Sequence, residues 1–252
     1  MKRNYEIAVL SLGAFARTVR IYAPKSATRA VIMHDGQNAF DDQTATYKKA
    51  WRSTDILKEL KIKNIAIIGI DSTTTREDDY LPFPNEIGEY GEQPYGGKAN
   101  IYADYIEKIV IPYLDKRFGF EFYAMLGSSS GALANIAIAA RKNARIKAYG
   151  FFSTPLFVSY KAYGEFFATK PFPAEPHYLV YTGGSEALDE IPDKEITARI
   201  PQLFVDDAFT LTNALRSSGA TNITTVMNNK GVHDEICWRE PERTFFQTVS
   251  KL

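Results

Sequence analysis

Gly127-Ser128-Ser129-Ser130-Gly131 sets a serine between two glycines, one residue away on each side, directly after the apolar run Phe122-Tyr123-Ala124-Met125-Leu126. That spacing is the pattern of a nucleophile elbow, where a strand turns sharply into a helix and lifts a serine hydroxyl clear of the sheet. The glycines belong to the chemistry, because a side chain at 127 or 131 would collide with so tight a turn. The helix that follows aims its N-terminal amides at developing negative charge.

A serine hydroxyl is a weak nucleophile without a base, and three histidines are available. His233, in Gly231-Val232-His233-Asp234-Glu235, follows the last predicted strand, where the base stands in the chain order serine, acid, histidine. His34 precedes the serine and lies in the loop after an early strand, where shaping that loop is its better use. His177 opens a strand beside Pro176 and reads as packed or surface. An acid must hold the histidine tautomer and stabilise the imidazolium. Glu186, in Gly183-Gly184-Ser185-Glu186 after the strand 177–182, is the choice; Asp189, farther out and shorter, is its nearest competitor. His34-Asp35 and His233-Asp234 are adjacent pairs whose side chains point apart, and no His-x-x-x-His spacing occurs, so neither a metal nor another cofactor is expected.

These groups need a frame. Alternation over residues 5–11 and 18–24 predicts an antiparallel hairpin. Ala30–Met33 is a short strand, and Ile65–Ile70, apolar on both faces, suits a central strand covered by helices on each side. Residues 53–60 predict a helix with Ser53 as its cap, and residues 101–118 another capped by Asn100. The elbow helix is expected over 132–141. Strands 148–152, 177–182 and 223–227 follow, with helices at about 203–217 and 241–251. Strands alternating with helices over an undivided chain predict one α/β domain over 1–252, a three-layer α/β/α sandwich on a mostly parallel sheet with an N-terminal antiparallel hairpin. Two long segments, 71–98 and 153–175, are rich in aromatic residues and read as functional loops at the ligand-binding end of the sheet. Tyr90 and Phe157 represent them as substrate contacts, together with His34 and Trp238.

Thirty Lys plus Arg balance thirty Asp plus Glu, which supplies no basic surface for a nucleic acid. Apolar residues make up 45% of the 252 and charged residues 24%, so the chain is globular rather than disordered. Cys237 is the only cysteine, so intramolecular disulfides are excluded. Met1-Lys2-Arg3 and the uncharged run from Ile7 to Ala16 imitate a secretory leader, but Glu6 interrupts the junction and the stretch runs straight into the hairpin. No segment approaches 18 consecutive apolar residues, so no membrane span is expected. A cytoplasmic location and a small-molecule partner follow as expectations, and a homo-oligomer is compatible with them.

Several segments together resemble the esterase branch of the α/β-hydrolase fold, the group of S-formylglutathione hydrolases, feruloyl esterases and siderophore trilactone esterases. Val19–Pro24 is similar to that family's opening strand, and Met33-His34-Asp35-Gly36-Gln37-Asn38-Ala39-Phe40 to its oxyanion loop. Arg76 to Pro82 resembles an Arg-x-x-Glu-Tyr-x-Pro segment, with Asp79 where glutamate is usual. Tyr102–Tyr113 is similar to the helix before the elbow, and Gly231-x-His233-x-Glu235-x-x-Trp238 to the histidine loop. The resemblance implies a serine carboxylic-ester hydrolase in which Ser129 attacks, His233 shuttles the proton, Glu186 orients His233, and the backbone amides of Gln37 and Ser130 form the oxyanion hole. The same triad also supports acyl transfer. A catalytically silent binding protein on this fold is the rival, although such a protein usually lacks the serine or the histidine, and this chain has both.

Overall fold

The computed structural model describes residues 4–87, 95–188 and 194–252. Eight strands form one sheet in the order β1-β2-β4-β3-β5-β6-β7-β8. The strands are β1 Glu6–Leu12, β2 Phe15–Tyr22, β3 Arg29–His34, β4 Ile65–Ile70, β5 Phe122–Ser128, β6 Ile146–Phe152, β7 His177–Gly183 and β8 Ile223–Asn228. β1 and β2 form the antiparallel hairpin, β2 meets β4 antiparallel, and every pairing from β4 to β8 is parallel. The α/β class, the mostly parallel sheet and the hairpin are therefore as the alternation predicts.

The central strands are apolar on both faces because both are covered. Ala30 and Ile32 of β3 join one core while Val31 and Met33 join the other; in β5, Tyr123 and Met125 go one way, Ala124 and Leu126 the other. Helices α3 Ala99–Tyr105, α5 Ser130–Ala139 and α7 Lys194–Ser217 cover the first face, and α1 Ser53–Glu59 and α8 Glu235–Val249 the second.

Several helix ends differ from expectation. Ser53 does not cap α1: Arg52 holds that position, and the buried Ser53 hydroxyl donates to Glu242 Oε1 at 2.6 Å. Asn100 lies inside the first turn of α3, which runs through a π-helical stretch, Ile106–Val110, into α4 Ile111–Phe118. The helices expected at about 203–217 and 241–251 extend further toward the N-terminus, with Pro201 and Pro241 inside them. α8 begins at Glu235 because Asp234 caps it, accepting from the Ile236 amide at 2.6 Å. The segment 153–175 is not a loop: it holds a 3-10 turn, Leu156–Ser159, and a helix, α6 Tyr160–Thr169. Tyr163, Phe166 and Phe167 recur there at helical spacing and pack together. The 71–98 segment contains the short helix α2 Arg76–Tyr80, and residues 88–94 lie outside the described residues.

Strand order departs from chain order at β3, which pairs with both β4 and β5. The turn after β3 and the elbow after β5 therefore leave neighbouring strands side by side, at the point where α/β sheets bind ligands. A Cβ on Gly127 would run into the Gly131 carbonyl group and lie 2.7 Å from His34 Cδ2. Gly127→Ala should destabilise the fold by about 2 kcal/mol or more, a loss of roughly 4 to 8 °C in Tm for a chain of this size. Thermal and denaturant unfolding of the variant measure it; an unchanged Tm would mean that the turn relaxes freely.

Candidate active site

Ser129 joins β5 to α5 with φ 53° and ψ −132°, a backbone conformation that residues other than glycine rarely adopt. Its amide donates to the Phe152 carbonyl at 2.9 Å, and its own carbonyl accepts from Ala132 at 2.9 Å. Ser129 is half-buried between buried Ser128 and Ser130. The polar residue with the strained backbone is thus the one left reachable at the end of a buried strand.

His233 lies on the turn between β8 and α8. Its Nδ1 is 2.8 Å from Glu186 Oε2, and because a carboxylate oxygen accepts, Nδ1 carries the proton and Nε2 is left as the basic nitrogen. The Glu186 carboxylate is wholly buried. Its other oxygen accepts from the Ser153 hydroxyl at 2.6 Å and from the Gly183 amide at 2.8 Å. The His233 ring is held between Phe204, 5.1 Å away, and the roughly perpendicular indole of Trp238 at 5.0 Å. Among the described residues no hydrogen bond joins the Ser129 hydroxyl to His233; such contacts often close only when substrate is bound. Register brings these groups to one edge of the sheet. Ser128 pairs with Phe152 and Phe152 with Tyr181, while the Ser153 amide bonds the Tyr181 carbonyl at 2.8 Å. Three successive strand ends thus present Ser129, Ser153 and the turn that carries Glu186.

Beside the elbow, Asp35 takes the left-handed conformation at φ 53° and starts the 3-10 turn Gly36–Asn38. The Gln37 side chain is tied to Ser72, donating to its hydroxyl at 2.8 Å and accepting from its amide at 3.0 Å. Among the described residues the Gln37 amide takes no partner, and neither does the Ser130 amide, the first of α5. Arg76 grips both Asp35 oxygens at 2.8 Å. Burial would raise the Asp35 carboxyl, but the Arg76 guanidinium holds it below the usual carboxylate range. Arg76 also pairs with Glu77, whose second oxygen accepts from the Ser130 hydroxyl at 2.5 Å. Asn38 donates to Glu235 at 3.0 Å, joining this turn to the histidine turn.

The four expected substrate contacts fare differently. His34 is buried beneath the elbow, with Tyr102 Oη 2.8 Å from Nδ1 and Asn135 Oδ1 2.7 Å from Nε2, so neither nitrogen is free for a ligand. It braces the turn against α3 and α5. Trp238 is also buried, its N–H donating to Ser153 at 2.9 Å while its ring packs against His233. Phe157 packs edge-on against Phe204 at 5.3 Å, one ring removed from His233, and its amide donates to Asp207 at 2.8 Å. Tyr90 and the competing acid Asp189 lie outside the described residues.

The sequence analysis does not single out Ser153, although, like Ser129, it is a serine directly after a parallel strand. Among the described residues no three His, Cys, Asp or Glu side chains are grouped to hold a metal, and no helix is long and apolar enough to cross a membrane.

A mostly parallel α/β sheet, a strained serine between strand and helix, and a histidine bonded to a carboxylate after later strands define an α/β-hydrolase-fold enzyme. Residues 15–236 match the family described as Putative esterase, and the chain belongs to that family of hydrolases. An IroE-like serine hydrolase from Shewanella oneidensis shares the fold with a TM-score of 0.73 at 17% identity, over 96% of this chain and 80% of that one. A siderophore hydrolase from Aspergillus nidulans gives 0.73 at 16%, over 99% and 95%. The enterobactin esterase of Shigella flexneri gives 0.67 at 14%, over 99% of this chain and 61% of that one. No curated protein sequence matches the chain.

Burial pushes the His34 imidazole down to about 4 from its ordinary 6.5. The unfolded chain therefore binds the proton more readily, so the stability that neutral His34 contributes is full above pH 6.5 and lost as pH falls toward 4. His34→Gln should flatten the pH dependence of unfolding free energy between pH 4 and 6.5, removing about 3 kcal/mol of it. Denaturant titrations at several pH values test this, and an unchanged slope would assign the acid sensitivity to other groups.

Proposed function

We propose that the protein hydrolyses small-molecule carboxylic esters through an acyl-enzyme on Ser129. The observation that carries this reading is the 2.8 Å contact between His233 Nδ1 and the buried Glu186 carboxylate, at the sheet edge that also bears the strained serine.

Ser129 Oγ bonds to the ester carbonyl carbon while its proton passes to His233 Nε2. The carbonyl oxygen becomes an oxyanion, accepting from the Gln37 and Ser130 amides, and the α5 dipole favours the same charge. Collapse of the tetrahedral intermediate breaks the bond to the alcohol oxygen, and His233 returns the proton to the departing alcohol. Water then repeats the sequence on the acyl-enzyme, with His233 taking a proton from the water and giving it back to Ser129. Throughout, Glu186 keeps Nδ1 protonated and offsets the imidazolium charge. The chain acts as one domain, since one sheet carries every group in this scheme.

The names of the solved relatives, a siderophore hydrolase and an enterobactin esterase, make siderophore esters the first substrates to screen, beside p-nitrophenyl esters of increasing chain length. Product analysis with an added alcohol separates hydrolysis from acyl transfer.

Ser129→Ala should lower kcat by at least ~10^4, leaving only binding and the oxyanion hole. A fluorophosphonate should label Ser129 alone in peptide maps; an adduct elsewhere, or an active enzyme that takes none, overturns the assignment. Glu186→Gln should fold normally and lose roughly 10^4 in kcat, the effect of a lost histidine tautomer. Near-normal turnover would move the acid to another residue.

A further inference from the structure

Ser153 directly follows β6 with a left-handed backbone, φ 48°, in a fully buried position. A non-glycine residue there is disfavoured by about 1 to 3 kcal/mol unless its surroundings over-determine it. The surroundings are specific. The Ser153 hydroxyl accepts from Trp238 Nε1 at 2.9 Å and donates to Glu186 Oε1 at 2.6 Å. The indole that donates to it is the same one that packs roughly perpendicular to the His233 ring, 5.0 Å away. His233, Glu186, Ser153 and Trp238 therefore close a ring of side chains, three of them at most 4% exposed.

From this ring we propose that Ser153 is a positioning residue for the acid, fixing the Glu186 rotamer and, through Trp238, the ring plane of His233. The inference rests on the triad assigned above. A glutamate has one more rotatable bond than an aspartate, so a carboxylate reaching His233 from the 183–186 turn needs a second anchor. The Gly183 amide and the Ser153 hydroxyl together grip Oε1, which leaves Oε2 one direction in which to point. A hydroxyl suits this position because it donates to the carboxylate and accepts from the indole at once. Alanine can do neither, and threonine would add a β-branch to a strained, packed site.

The test is a double-mutant cycle read on an activated p-nitrophenyl ester. Ser153→Ala should reduce kcat roughly 10- to 100-fold with KM little changed, the order expected when a charged acceptor loses one donor and a buried N–H loses its acceptor. In the Glu186→Gln background the same substitution should change kcat less than about 2-fold, because its effect passes through the acid. Trp238→Phe keeps a ring against His233 but removes the donor; it should cost several-fold alone and nothing further on Ser153→Ala. Circular dichroism and Tm confirm folding of each variant. An equal loss from Ser153→Ala in both backgrounds, or turnover within 2-fold of the unmodified enzyme, would overturn the proposal and leave Ser153 as a packing residue. Full activity of Glu186→Gln by itself would instead overturn the triad, so the two failures are distinguishable.

Discussion

Everything at the sheet edge depends on one buried contact, the Glu186 carboxylate against His233. A carboxylate withdrawn from water is destabilised by several kcal/mol unless donors replace its hydration. Here three do: His233 Nδ1, the Ser153 hydroxyl and the Gly183 amide. They come from the turn after β8, the end of β6 and the end of β7, so the acid is satisfied only when those strands are paired in register. The parallel sheet is in this sense a device for bringing distant segments to one edge at fixed spacing, and its apolar strands supply the rigidity that the polar turns lack.

A second polar assembly lies on the other side of Ser129 and serves the turn that holds Gln37. Asp35, Arg76, Glu77 and Ser130 form a chain of charge-assisted contacts from the β3 turn to the first residue of α5. Beneath it, His34 links that turn to Tyr102 and Asn135. Donors aimed at developing charge are effective when they are already fixed before reaction. Both amides that would meet the oxyanion sit on backbone held from below by buried, partnered side chains. α2, which contributes Arg76 and Glu77, is itself tied to the hairpin by the buried Arg17–Asp79 pair, which gives the N-terminal strands a part in shaping the site.

The sequence was most informative where local spacing and chemistry coincide. The elbow glycines, the serine between them, the histidine after the last strand and the glutamate after the preceding one are all recognisable from short-range pattern, and so are the strands with their two-sided apolar character. What could not be read depends on partners far away in the chain. Ser53 looks like a helix cap until Glu242 claims its hydroxyl. The ring nitrogens of His34 and Trp238 find their partners in Asn135 and Ser153, 101 and 85 positions away. α6 was missed because its aromatic residues suggested a pocket wall, although their spacing is helical. Ser153 has no flanking glycine to announce it; its meaning lies in two residues that follow it by more than thirty positions.

In the mechanism we propose, the Glu186 carboxylate fixes His233 with the proton on Nδ1 and Nε2 free to act as base. Nitrogen and proton NMR of the resting enzyme, with histidines labelled and His233 assigned by substitution, reads that tautomer directly. The expected spectrum shows a low-field proton one-bond coupled to Nδ1 and an Nε2 at the shift of an unprotonated ring nitrogen, and that proton signal is lost in Glu186→Gln. A neutral His233 protonated on Nε2, or a spectrum unaffected by Glu186→Gln, would contradict it.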